Sequence, residues 1–386
     1  MYRTVPYLIV LTWALFSYTN VFFMFAPYMA LKGFPSERIG ILVGAFYAAA
    51  TLIRPFGGWI VERTEIRKTL VTSAALCAFA VAFKFVTVSF IPLLAIRLAM
   101  GCFYGIFAVA LMTYQSLIIP EAIRGKAFAI ISLGSISCHF TVVPLADWFI
   151  SQGMLELFLA IPVCTSALCV VLSLCLPPIN FEHTSESRWG TWRELYDDTP
   201  FWRIVTSCML FALCDASIVY IPALTMAMGL VPSSFVIASG LGAIAMRILG
   251  REFFNSHPRY FFAGPSLLLM AAFLYLTAIA SNNFWLFVFG LCFGAGLGYG
   301  YPAHQALIGD LAPASLRAKA SSLVYFCNDI SWFILPVYVG FVTPYAGEMG
   351  AFKFLALFSL ASGIGLTIMW TRYSKAISCA LHSKSS

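Results

Sequence analysis

The sequence predicts an all-α membrane protein of about 12 transmembrane helices, arranged as two pseudo-symmetric six-helix bundles. Three observations predict it. The 386 residues are 61% hydrophobic and only 10% charged, where a soluble domain carries roughly a quarter charged residues. Apolar runs of roughly 17 to 25 residues recur from end to end, each long enough to cross a ~30 Å hydrocarbon layer as a helix. Sliding the chain on itself by the separation of Arg54 from Arg247 also brings Gly57 onto Gly250, Pro120 onto Pro313, Arg124 onto Arg317, Lys126 onto Lys319 and Ala127 onto Ala320 without a gap. In so apolar a chain the basic and proline matches carry the weight, and they fall in corresponding loops of the two halves.

The apolar runs place spans at 7–31, 39–61, 69–87, 90–119, 127–150, 157–178, 202–228, 234–254, 260–280, 284–309, 319–344 and 351–372. A β-barrel would instead show alternating strands of roughly 10 residues. The first run is too long for a signal-peptide core and has no small-residue cleavage pattern after it, so it reads as a mature span. Residues 1–178 form the first bundle, 179–201 a polar cytoplasmic linker, and 202–386 the second bundle with a short tail. Inside the linker Thr191 and Glu194 have capping-box spacing, consistent with a short surface helix or with a disordered connection.

Alternate loops are basic. Arg63, Arg67 and Lys68, Arg124 and Lys126, Arg188, Arg193 and Arg203, Arg251 and Arg259, Arg317 and Lys319, and the tail residues Arg372, Lys375 and Lys384 fall on one side, with Arg3; Lys32, Arg38, Lys84 and Lys353 fall on the other. The positive-inside rule then puts both termini in the cytoplasm of a plasma or bacterial inner membrane. The net charge of +7 follows from this topology and gives no reason to invoke nucleic acid. Most of the nine tryptophans, including Trp59, Trp148, Trp189, Trp192, Trp202, Trp285 and Trp370, lie near span ends or in the linker, as interfacial anchors do.

The eleven cysteines show no CxxC pair and no histidine at metal-ligand spacing, so neither a disulfide framework nor a metal site is expected. No P-loop, HExxH motif or clustered intramembrane acids are present, which argues against an ATP-driven pump and against an enzyme. No cofactor is implied. Repeats of six spans are a transporter architecture, with the cargo bound near the midplane.

Ionisable groups inside a span are costly unless they face a wet cavity or a partner. Arg97 lies ~10 Å into the fourth span, Asp215 ~20 Å into the seventh and Asp329 ~15 Å into the eleventh, by the rise of a helix. Arg97 has no cationic counterpart in the repeat, where Gly290 aligns with it. Either carboxyl could exchange protons as a cavity opens to one side and then the other, or could simply hydrogen-bond a neighbouring helix. His139 in the fifth span could also exchange protons or be a packing residue.

The stretches RPFGGWIVERTEIRKTL (Arg54 to Leu70), IRLAMGCFYG (Ile96 to Gly105), PEAIRGKA and PASLRAKA resemble the loop between the second and third helices, the fourth-helix RxxxG motif, and the loops after the fourth and tenth helices of the major facilitator superfamily. In the first loop Glu62 and Arg63 match the acidic and basic pair, but Glu65 stands at the following glycine and Arg67 and Lys68 come one place late. Val143 stands where drug antiporters have glycine before Pro144. The resemblance implies a monomeric secondary carrier working by alternating access, most similar to small exporters of drugs, siderophores or metallophores, proton-coupled, with import of an amino acid or organic acid as the alternative. It implies that Asn20, Arg97, Asp215 and Gln305 line the cavity and that Arg97 meets a proton or an anionic cargo. It further implies that Arg54, Glu62, Arg63, Arg67, Arg124, Arg247 and Arg317 form a cytoplasmic gate, where plain positive-inside anchoring is the rival reading.

Overall fold

A computed structural model describes residues 4–83, 89–119, 124–178, 192–250, 257–311 and 317–385. Arg3, Lys84, Pro120, Arg188, Trp189, Thr191, Arg251 and Pro313 lie outside them. The helices are α1 (Thr4–Asn20), α2 (Phe25–Leu31), α3 (Ser36–Arg63), α4 (Ile66–Ala82), α5 (Phe90–Ile118), α6 (Arg124–Ser137), α7 (Val142–Ser151), α8 (Leu155–Leu174), α9 (Trp192–Asp198), α10 (Phe201–Asp215), α11 (Ile221–Ala227), α12 (Pro232–Leu249), α13 (Tyr260–Thr277), α14 (Asn283–Leu311) and α15 (Arg317–Ser385). No strand occurs among the described residues.

Among the described residues ten segments are long and apolar enough to cross a membrane, the last of them Leu323–Ala376. That last segment holds two spans, because Gly347 (φ 68°) interrupts α15. Helix α4, at 17 residues, spans roughly 25 Å and supplies one more. The chain is therefore a multi-pass membrane protein with the helix number that its apolar runs predict.

Three of the spans are not single helices. Helices α1 and α2 are joined by a 3-10 turn at Val21–Met24, α6 and α7 by one at Cys138–Phe140, and α10 and α11 by one at Ala216–Val219. Each turn lies just before a proline: Pro27, Pro144 and Pro222. A helical proline lacks its N–H and collides with the carbonyl four residues back. Those carbonyls belong to Phe23, Phe140 and Ile218, each inside its 3-10 turn. Pro55, Pro162 and Pro302 sit within continuous helices, so a proline alone does not open one.

Glycines in the left-handed region end the spans that precede four of the short turns: Gly33 (φ 79°), Gly153 (φ 71°), Gly229 (φ 70°) and Gly347 (φ 68°). At Gly33 and Gly153 the following amides close the Schellman pattern, Phe34 to the Met29 carbonyl and Met154 to that of Phe149. A Cβ at Gly347 would meet nothing within 4 Å, so Gly347→Ala isolates the backbone term. It should lower stability by roughly 1–2 kcal/mol, read as thermal unfolding in detergent.

Packing divides the chain into two compact units. The first comprises Met1–Thr184 with Val219–Met226 and Phe333–Phe341; the second comprises Ser185–Ile218, Ala227–Trp332 and Val342–Ser386. In the first unit α4 packs on α5 and α8, and α1 on α6 and α8, around Leu11, Leu15, Leu70, Ala74 and Phe107. The α3–α5 pair is closer still, since a Cβ at Gly101 would collide with the Phe46 carbonyl. Within the same unit Gly40 and Gly340 lie backbone against backbone. In the second unit α14 packs on α12 and α13, with Gly242 against the Leu291 carbonyl and Gly294 against that of Ser239. Small residues at these crossings let two backbones approach and gain dispersion, the main attraction between helices in lipid.

Candidate functional site

The breaks in the first and seventh spans fall within two residues of the positions that the repeat relates, and each follows a polar residue. Asn20 is the last residue of α1 and Asp215 the last of α10. Asn20 is 7% exposed and Asp215 6%, and neither side chain has a hydrogen-bond partner among the described residues. One oxygen of Asp329 is likewise buried without a hydrogen bond.

In the first unit the 3-10 turns of spans one and five lie side by side. Trp13 Nε1 donates to Thr141 Oγ1 at 3.0 Å, Ser17 Oγ sits 3.4 Å from Cys138 Sγ, and the rings of Phe23 and His139 are 6.1 Å apart. His139 Nδ1 is buried without an acceptor or donor.

Arg97 is 1% exposed. Its Nε donates to the Leu42 carbonyl at 2.9 Å and its Nη2 to that of Val43 at 3.4 Å, both on α3. Its guanidinium carbon lies 4.8 Å from the ring centres of Phe22, Phe25 and Phe46. Desolvated cation–π contacts of this kind are worth about 2 kcal/mol each, which offsets part of the cost of burying a charge that has no carboxylate beside it. Spacing explains the reach: Arg97, Gly101 and Gly105 recur every four residues along one face of α5, and Gly101 lets that face come down on α3.

In the second unit Tyr301 lies within electrostatic reach of Asp215, Asp329, Arg247 and Tyr325. A separate polar chain ties α10, α14 and α15. His304 Nδ1 lies 2.8 Å from the Gly300 carbonyl, its Nε2 2.9 Å from Ser207 Oγ, and Trp370 Nε1 donates to Ser207 Oγ at 3.3 Å. The carbonyl can only accept, so Nδ1 carries the proton and Nε2 receives the Ser207 hydroxyl hydrogen. Phe211 stacks on the imidazole at 4.5 Å. Ser207→Ala would strand two buried ring nitrogens and should cost about 1–3 kcal/mol, measurable by thermal unfolding.

A model of the Major Facilitator Superfamily matches residues 8–336 and 253–378. The chain belongs to this superfamily. Its members are carriers, not enzymes, and the chain is accordingly a transporter of small molecules. It is 24% identical over 376 residues to an uncharacterized MFS-type transporter, YuxJ, of Bacillus subtilis (strain 168), covering 90% of this chain and 94% of the relative. It is similar in fold to the nucleoside transporter NupG (TM-score 0.74, 15% identity, 95% of this chain and 98% of that one) and to a D-xylose-proton symporter (TM-score 0.74, 14% identity, 95% and 97%). A POT family transporter in complex with a thioalcohol conjugated peptide is comparably similar (TM-score 0.77, 12% identity, 96% of each chain). At these identities the solved structures speak for the superfamily fold alone.

Among the residues that the superfamily resemblance assigns to a cytoplasmic gate, Arg63 lies over the Trp59 ring at 4.4 Å and Arg67 Nη2 donates to the Leu174 carbonyl at 2.7 Å. Glu65 pairs with Lys68 at 3.1 Å. Arg54 and Arg247 are partly buried toward the ends of α3 and α12. The side chains of Glu62, Arg124, Gln305 and Arg317 are outside the described part of the structure. Sequence reasoning missed the rings around Arg97, Tyr301 within electrostatic reach of the two acids, and the Ser207–His304–Trp370 chain. The prolines at 27, 144 and 222 were the available signal for the breaks.

Proposed function

We propose that this superfamily carrier couples proton entry to the export of a small drug-like organic molecule, with Asp215 as the group that proton and cargo share. The observation that carries the reading is the buried Asp215 carboxyl at a helix break, with neither a hydrogen bond nor a cation beside it among the described residues. An anionic carboxylate without a partner is costly in an apolar interior. Asp215 is therefore held neutral by a proton or matched by a positive group on the cargo, and exchange of one for the other couples the two fluxes. One proton moving through 100 mV supplies about 2.3 kcal/mol.

The enclosure of Arg97 weighs toward a neutral or basic cargo rather than a carboxylate-bearing siderophore or metallophore. The carrier works as a monomer in the inner membrane with both termini cytoplasmic, a reading supported by the basic loops. Its two functional halves, 1–178 and 202–386, alternate access about the 179–201 linker.

The test uses everted vesicles and tetraphenylphosphonium as the probe. Accumulation that requires an acidified lumen supports export of a basic cargo. Absence of accumulation, together with proton-dependent uptake of an amino acid or organic acid by whole cells, would establish the importer instead.

A further inference from the structure

We propose that Arg97 is a positioning residue: by gripping Phe22 and Phe25 against α3 it fixes the break in the first span, and with it Asn20, without touching the cargo itself. Three elements meet at this one side chain. The guanidinium comes from α5, the two carbonyl acceptors and Phe46 from α3, and Phe22 and Phe25 from the 3-10 turn and the start of α2. Asn20 stands two residues before Phe22, at the point where α1 ends.

A 3-10 turn has poorer hydrogen-bond geometry than an α-helix and is stable only where its surroundings impose it. Val21–Met24 is fully enclosed, and no side chain caps the turn at Asn20. The planar cation is the group that all three rings share. It lies equally far from each, so moving any ring outward weakens the attraction of the set. The side chain is also closed to ligands, at 1% exposure, with Nε and Nη2 on carbonyls of α3 and Nη1 enclosed without a hydrogen bond. A guanidinium here is suited to hold a bend in place and is badly placed to bind a solute.

A lysine retains the charge but cannot supply two directed donors from a flat surface. The inference therefore separates from a charge role at Arg97→Lys. The experiment is hydrogen exchange on the purified full chain, without ligand, for Arg97→Lys and for the double variant Phe22→Leu/Phe25→Leu. Both should speed exchange of the backbone amides around the 3-10 turn by more than about tenfold, with α10 and α14 unchanged. The aromatic variant leaves the arginine in place, so it keeps the test meaningful if the lysine variant fails to fold.

Unchanged exchange at the turn in both variants would overturn the inference. So would faster exchange throughout the chain, which would mark Arg97 as a general packing residue, or an effect of the lysine variant that the aromatic variant does not share. A transport readout adds a second criterion. Asn20→Ala should change KM for tetraphenylphosphonium in the native background and leave it unaltered in the Arg97→Lys background. Full additivity there would also count against the inference.

Discussion

Asp215→Asn is expected to abolish proton-driven accumulation of cargo in everted vesicles, by at least about tenfold, while counterflow exchange persists at a raised cargo concentration, because the amide no longer pairs with a cation. The asparagine keeps the size of the side chain and its ability to hydrogen-bond, and removes the negative charge along with the capacity to gain and lose a proton. Because Asp215 has no hydrogen-bond partner among the described residues, the substitution strands no donor, and folding should be unaffected. Accumulation that still follows the proton gradient in the variant would remove Asp215 from coupling. The same substitution at Asp329 is less diagnostic, since that side chain is engaged with its surroundings and one of its oxygens is enclosed.

Gly101→Leu carries the second large effect. A Cβ at this position already collides with the Phe46 carbonyl and lies 2.9 Å from Ala49 Cβ, so a leucine can be accommodated only by parting α3 from α5. Overpacking of this kind costs about 3 kcal/mol or more when backbone must move. Parting the helices also takes the Leu42 and Val43 carbonyls out of reach of Arg97, leaving a buried cation with fewer donors satisfied. We expect a lower yield of folded protein and a depressed thermal midpoint in detergent. Gly365→Leu, where the added carbon would meet nothing within 4 Å, is the control and should be close to neutral.

Much of the fold was legible because the bilayer constrains so strongly which sequences can span it. The apolar runs, the basic loops and the repeated Arg54/Arg247 and Arg124/Arg317 positions gave the helix number and the duplicated plan. What periodicity could not give was any feature that depends on a neighbouring helix. Depth along α5 placed Arg97 inside the membrane, yet whether it faced open space or a ring of phenylalanines depended on how closely Gly101 lets α3 approach. The helix breaks were half legible, since Pro27, Pro144 and Pro222 were visible while Pro55, Pro162 and Pro302 gave the same signal without a break. The repeat also proved deeper than its matching residues: Asn20 and Asp215 differ in sequence yet end corresponding helices, and Gly33 and Gly229 close corresponding turns with left-handed backbone.

Cargo-driven proton movement tests the coupling role of Asp215 most directly. With purified protein in liposomes holding a pH-sensitive dye, an imposed tetraphenylphosphonium gradient should drive protons in the opposite direction through the native chain and none through Asp215→Asn. Proton movement of equal rate in both proteins would contradict it.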